Sequence, residues 1–146
     1  MIYSKACEYG IRALTNLARQ PNQLAVVRDI SDAEGIPHYF LGKILQTMAK
    51  EGLVMSTKGP GGGFKLARPA DEITLYDIKA AIDGVDDLVE CAVGLAQCND
   101  EMPCPLHDTF KPLRERIKSY LQETTLATMA EAVDRKHMLS EDGSGA

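Results

Sequence analysis

Three of the four cysteines in this 146-residue chain, Cys91, Cys98 and Cys104, fall inside one short stretch, and His107 follows the last of them by three residues. Thiolates and an imidazole are donors for soft metal centres: iron–sulfur clusters, zinc and copper(I). The gaps between the cysteines, six residues and then five, are wider than the Cys-x-x-Cys knuckles of structural zinc. Loops of that size wrap around something larger than one ion, which favours a cluster. A zinc site remains an alternative, and so does a thiol–disulfide switch needing no metal. The other cysteine, Cys7, reads as a small core residue on an N-terminal helix, and Glu8 beside it as a residue of a solvated face.

Catalytic groupings are missing from the sequence. There is no Cys-x-x-Cys, and no Ser–His–Asp arrangement or carboxylate pair stands out, so the chain is not expected to be an enzyme. Apolar residues make up 45% and charged residues 25%, ordinary values for a globular protein. No run of eighteen apolar residues exists to span a membrane. The N-terminus lacks the basic and then apolar stretch of a signal peptide, which leads to a cytoplasmic reading.

The net charge of −5 is unevenly distributed. Lys43, Lys50, Lys58, Lys65 and Arg68 face only Glu51 in residues 36–68, whereas residues 69–110 hold ten acidic side chains against Lys79 alone. A compact basic segment beside an acidic one suits a DNA reader with a separate regulatory region.

The elements that must position these groups follow from periodicity. Residues 3–19 form an amphipathic helix with Ala6, Gly10, Ala13, Leu14 and Leu17 at helical spacing. A short helix over Val27 to Glu34 has Val27, Ile30 and Ala33 inward, and Gly35 supplies the turn. Pro37 suits the first position of the next helix. That helix runs to Lys50 with Phe40, Leu41, Ile44, Leu45 and Met48 inward, and Gly52 closes it. Two such helices around a tight turn are a helix-turn-helix signature.

Leu53-Val54-Met55-Ser56 and Phe64-Lys65-Leu66-Ala67 read as two short strands around Thr57-Lys58-Gly59-Pro60-Gly61-Gly62-Gly63. A hairpin directly after a helix-turn-helix is a wing, and its glycine-rich tip can approach DNA closely. A nucleotide phosphate loop is ruled out, because no Gly-Lys-Ser/Thr follows the glycines. The run of glycine and proline exceeds what a hairpin alone needs. Thr74 caps a helix from Leu75 to Ile82. Residues 85–103 show no helical period. From Pro105 the period returns, with Leu106, Phe110, Leu113, Ile117, Tyr120 and Leu121 spaced by three and four over a helix of about 27 Å. A last helix is expected from Thr125 to Lys136.

The order of these parts, with Lys58-Gly59-Pro60-Gly61-Gly62-Gly63-Phe64 and the cysteine triplet before a long helix, resembles the Rrf-two family of bacterial transcriptional regulators. That family includes IscR-like and NsrR-like members. The likeness spans Tyr3 to about Val133. It implies a mainly α fold with a small β-hairpin: a winged helix-turn-helix plus a long dimerisation helix. The resulting layout is a DNA-binding domain over 1–84, a cluster-binding loop over 85–104, dimerisation and C-terminal helices over 105–138, and a disordered tail over 139–146. It further implies a homodimer in which Cys91, Cys98 and Cys104 ligate an iron–sulfur cluster. In IscR-like members a histidine matching His107 completes a 2Fe–2S site, and this is the preferred assignment. In NsrR-like members an acidic residue of the other subunit serves a 4Fe–4S cluster, and Glu8 of the partner subunit is the counterpart here. The first cysteine gap is one residue longer than the IscR spacing.

In a helix-turn-helix the N-terminal part of the second helix reads base edges. That selects His38, Tyr39, Lys43 and Gln46, with Lys58, Gly59, Pro60 and Gly61 at the wing and Arg28 as a backbone clamp. The expected partner is a double-stranded operator with an inverted repeat, bound by a regulator such as a repressor.

Overall fold

In the computed structural model, which describes residues 2–95 and 99–141, the first helix α1 spans Lys5–Ala18 and opens at Ser4. The Ser4 Oγ accepts the Cys7 N–H at 3.0 Å and so satisfies an orphan donor of the first turn. Cys7, Ile11, Ala13, Leu14 and Leu17 form its buried face. Helix α2 (Val27–Glu34) ends at Gly35, and α3 (His38–Lys50) follows after Ile36 and Pro37. Pro37 is the residue before the helix rather than its first turn, a shift of one position from expectation. The Gly52 and Leu53 N–H groups close back onto the Ala49 and Met48 carbonyls at 3.2 and 2.9 Å, a Schellman closure of α3.

Strands β1 (Val54–Thr57) and β2 (Gly63–Leu66) pair antiparallel, with Val54 opposite Leu66 and Thr57 opposite Gly63. Their connection is a turn with Pro60 and Gly61 at its centre. The Gly62 N–H donates to the Gly59 carbonyl at 2.9 Å and Gly61 has φ 76°, the pattern of a type II turn. Two strands alone are marginal in water. This hairpin is extended by a backbone bridge to Ala25, in the loop between α1 and α2. The Ala25 N–H donates to the Phe64 carbonyl at 2.9 Å, and the Phe64 N–H donates back to Ala25 at 2.8 Å.

That bridge changes the meaning of the glycines. A Cβ on Gly63 would lie 2.7 Å from the Ala25 carbonyl oxygen, and one on Gly62 would lie 2.2 Å from that of Thr57. The glycine run therefore does not exceed what the hairpin needs, contrary to expectation. The turn and the stitch to Ala25 require most of it.

Helix α4 (Leu75–Ile82) opens with a capping box: Asp77 N–H to Thr74 Oγ1 at 3.2 Å, and Thr74 N–H to Asp77 Oδ2 at 3.0 Å. After a short 3-10 turn at Asp86–Leu88 and the cysteine loop come α5 (His107–Glu123) and α6 (Leu126–Glu141). The junction between α5 and α6 is bonded to the start of α4, through Leu75 N–H to Thr124 O at 3.0 Å and Leu126 N–H to Ile73 O at 2.9 Å. Helix α6 returns along α1, where Arg19 Nε meets Asp134 Oδ1 at 2.6 Å. It continues to Glu141, past the point where the sequence suggested a disordered tail, and residues 142–146 lie outside the described residues.

The core gathers α1, α3 and α4 with Leu121 and Leu126 from the last two helices. Two residues expected inward are outside it. Ala33 is exposed, and so is Phe40, because Leu41, Ile44, Leu45 and Met48 already complete the buried face of α3. Among the described residues no helix is long and apolar enough to cross a membrane.

Candidate nucleic-acid interface and cysteine loop

The basic segment folds into one exposed surface feature after another. On α3, Tyr39, Lys43 and Gln46 recur at helical spacing and are exposed, as is His38. Lys43 Nζ sits 4.4 Å from the centroid of the Tyr39 ring, a cation–π contact that steadies both side chains. Arg28 is exposed on α2, and Lys58, Gly59, Pro60 and Gly61 are exposed at the wing tip. Every residue expected to meet DNA thus has a free face, and the hairpin that carries Lys58 is bonded to the helix-turn-helix. Phe40, at 57% exposure, was missed as a surface residue. Lys65, exposed on β2, adds a further cation near the wing.

The acidic segment is held down at three points. Lys79 is only 2% exposed, and its Nζ donates to the Gly84 carbonyl at 3.0 Å and to Asp87 Oδ1 at 2.9 Å. A buried ammonium is tolerable because both contacts are charge-assisted or carbonyl bonds. Arg114, on α5 and 9% exposed, donates through Nη1 to the Glu90 carbonyl at 2.6 Å, next to Cys91. Its guanidinium carbon lies 5.9 Å from the Phe110 ring centroid. Finally, Lys111 Nζ reaches both Asp100 oxygens at 2.7 and 2.8 Å, and His107 Nε2 lies 2.9 Å from Asp100 Oδ1. The bonds from Lys111 first, and then from His107, hold the Asp100 carboxyl well below its usual range, at about 2.

Within the loop, Cys91 and Cys104 are half-buried, and Cys98 lies outside the described residues. His107 is 6% exposed, and its backbone N–H donates to the Cys104 carbonyl at 3.0 Å, so the two residues sit one backbone turn apart. Among the described residues no three His, Cys, Asp or Glu side chains gather closely enough to hold a single ion. Cys91, Cys104 and His107 therefore do not close a site without Cys98. Their donor types, thiol and imidazole, fit an iron–sulfur cluster. Cys7 is fully buried, and burial, with Asp83 adding to it, pushes its thiol up to about 12. It is a protonated core residue. Glu8 is half-buried on α1 and pairs with Lys5 Nζ at 3.3 Å.

A family model described as "Rrf2: Iron-dependent Transcriptional regulator" matches residues 3–132. The chain belongs to the Rrf2 family. One relative, the HTH-type transcriptional regulator IscR of Vibrio atlanticus (strain LGP32), is 33% identical over 122 residues, covering 83% of this chain and 70% of that protein. Among solved structures, CymR, the global cysteine regulator of B. subtilis, is similar with a TM-score of 0.74 at 22% identity, over 88% of this chain and 95% of that one. T. potens IscR is similar with a TM-score of 0.72 at 24% identity, over 89% and 86% of the two chains. These structures share the winged helix-turn-helix fold of this Rrf2 chain. Its relatives are transcriptional regulators rather than enzymes, in keeping with the missing catalytic groupings.

What sequence reasoning overlooked in the Rrf2 chain are the fasteners Lys79, Arg114 and Asp100. A lone lysine among ten acids was the one available signal, since an isolated charge of that kind is the natural candidate for a buried pair.

Proposed function

We propose that this Rrf2 protein is a homodimeric, operator-binding regulator whose grip on DNA responds to an iron–sulfur cluster held in the loop over 85–104. The observation that carries the DNA half is the exposed recognition helix beside a hairpin bonded to the same body. Tyr39, Lys43 and Gln46 meet base edges in the major groove, while Arg28 and Lys58 neutralise phosphates. A dimer reads an inverted repeat whose half-sites lie about one helical turn, ~34 Å, or a multiple of that apart. The protein acts in the cytoplasm, and repression is the expected outcome when it covers a promoter.

Cys91, Cys98, Cys104 and His107 are the residues that would hold the cluster, 2Fe–2S in preference to 4Fe–4S with Glu8 of the partner subunit. When bound there, such a group supplies iron that reacts with oxidants and nitric oxide. The loop's own ties, from Lys79, Arg114 and Lys111, fasten Gly84, Asp87, Glu90 and Asp100 to α4 and α5. They carry the loop's state into α5, whose exposed side faces the partner, and so into the spacing of the two DNA-binding heads. This is an order–disorder switch biased by a ligand.

Absorption and resonance Raman spectra of protein purified without oxygen test the cluster directly. A brown or red protein with iron–sulfur bands is expected, and Cys98→Ser should yield a folded, colourless dimer with altered operator affinity. Identical operator binding with and without the cluster would refute the sensing role. A second reading rests on the half-buried positions of Cys91 and Cys104 in one loop: a thiol–disulfide or zinc switch, for which the protein would be colourless from the start. Lys58→Ala should lower affinity for all duplexes alike and flatten the salt dependence by about one unit of slope. An unchanged slope in salt titrations would remove Lys58 from the phosphate contacts.

A further inference from the structure

The first turn of α3 holds two aromatic rings out in solvent. Tyr39 is 71% exposed and Phe40 57%, with ring centroids 6.4 Å apart and planes at 75°, an edge-to-face pair. Lys43 Nζ lies over the face of Tyr39. The helix meets its packing needs through Leu41, Ile44, Leu45 and Met48 without either ring. An unburied phenylalanine gives up apolar contact that an interface would supply. It carries no donor or acceptor, so it can read only an apolar feature of its partner.

We infer that Phe40 is a specificity-determining residue that packs on the C5-methyl group of a thymine in the major groove, with Tyr39 buttressing its ring. The inference rests on the DNA-binding reading of α3. The first turn of a recognition helix is the part that meets base edges. Among those edges, thymine presents the methyl group. The surroundings favour DNA over an apolar protein partner: Lys43 flanks the rings, and Lys50, Lys58, Lys65 and Arg68 lie in the same basic segment.

The test begins with an operator selected by the whole protein from random duplexes. Each thymine is then replaced in turn by deoxyuridine, which pairs identically and lacks only the methyl group. One replacement in a single half-site should weaken the unmodified protein about fourfold, the worth of one buried methyl group, and replacement in both half-sites roughly fifteenfold. Phe40→Ala, at an exposed position, should fold with unchanged circular dichroism and bind the thymine and deoxyuridine operators equally. Indifference of the unmodified protein to every deoxyuridine overturns the inference. So does a Phe40→Ala protein that keeps the full thymine preference, which would assign the methyl group to another side chain or the ring to another partner. Selection of no duplex at all would instead refute DNA binding by α3, and is distinguishable because no operator would exist to modify.

Discussion

Replacing Gly63 by alanine should detach the wing from the helix-turn-helix. The added Cβ would meet the Ala25 carbonyl oxygen at 2.7 Å, and its backbone neighbours leave it no room. Relief requires Ala25 and Phe64 to separate, which breaks both bridge hydrogen bonds. Two backbone bonds and the strain together are worth about 2–4 kcal/mol. Denaturant melts should register that loss, and operator titrations should show affinity reduced by tenfold or more as Lys58 loses its fixed position. Gly61→Ala is the informative contrast. It meets no neighbour and suffers only from its positive φ, so its cost should stay near 1 kcal/mol with the bridge intact. Equal behaviour of the two variants would deny the stitch its role.

The second large effect concerns α5. Leu106, Phe110, Leu113, Ile117 and Tyr120 alternate at spacings of four and three, the seam of a coiled coil. Leu113 is 59% exposed in the single chain, and Leu106 and Tyr120 are exposed with it, whereas Leu121 is buried and Ile117 partly buried against the core. A stripe of this kind, unburied in one chain, is what a second copy covers. Leu113→Glu should therefore leave the monomer's melting temperature nearly unchanged, because the side chain contributes little to its core. Two buried carboxylates at a symmetric seam should separate the dimer, raising its dissociation constant at least a hundredfold. Operator affinity then falls steeply, since two linked half-sites become two independent weak contacts. Sedimentation of the variant and operator titration check both halves. A dimer that survives the substitution would move the interface elsewhere.

Much of this architecture was legible in the residues themselves. Thr74 announces α4 because a threonine with an acidic residue three positions on makes a reciprocal cap, and both bonds are present. The wing follows from two short apolar runs around Pro60 and Gly61, whose turn type their chemistry dictates. Other features depend on partners far away in sequence. Phe40 fits the helical period as well as Leu41 does, and only the position of α1 and α4 against α3 decides which of them is buried. Gly63 looks like part of a loose tip until Ala25, nearly forty residues earlier, is seen against it. The burial of Lys79 and Arg114 follows from carbonyls at Gly84 and Glu90, and only the isolation of Lys79 among acidic residues hinted at it. In the cysteine loop, the bond of His107 to Asp100 was not foreseeable from the spacing of the cysteines and His107.

The bridge at Ala25 has a consequence for how such a protein is controlled. A free hairpin would act as a finger, curling toward the duplex or away from it one subunit at a time. A hairpin sharing backbone bonds with the segment that joins α1 to α2 turns only when the entire head turns. Under the proposed switch, a signal arriving through α5 would be translated into the distance and angle between two rigid blocks. The geometry of the DNA becomes the other half of the switch: inserting or deleting base pairs between half-sites would imitate, or cancel, the signal itself.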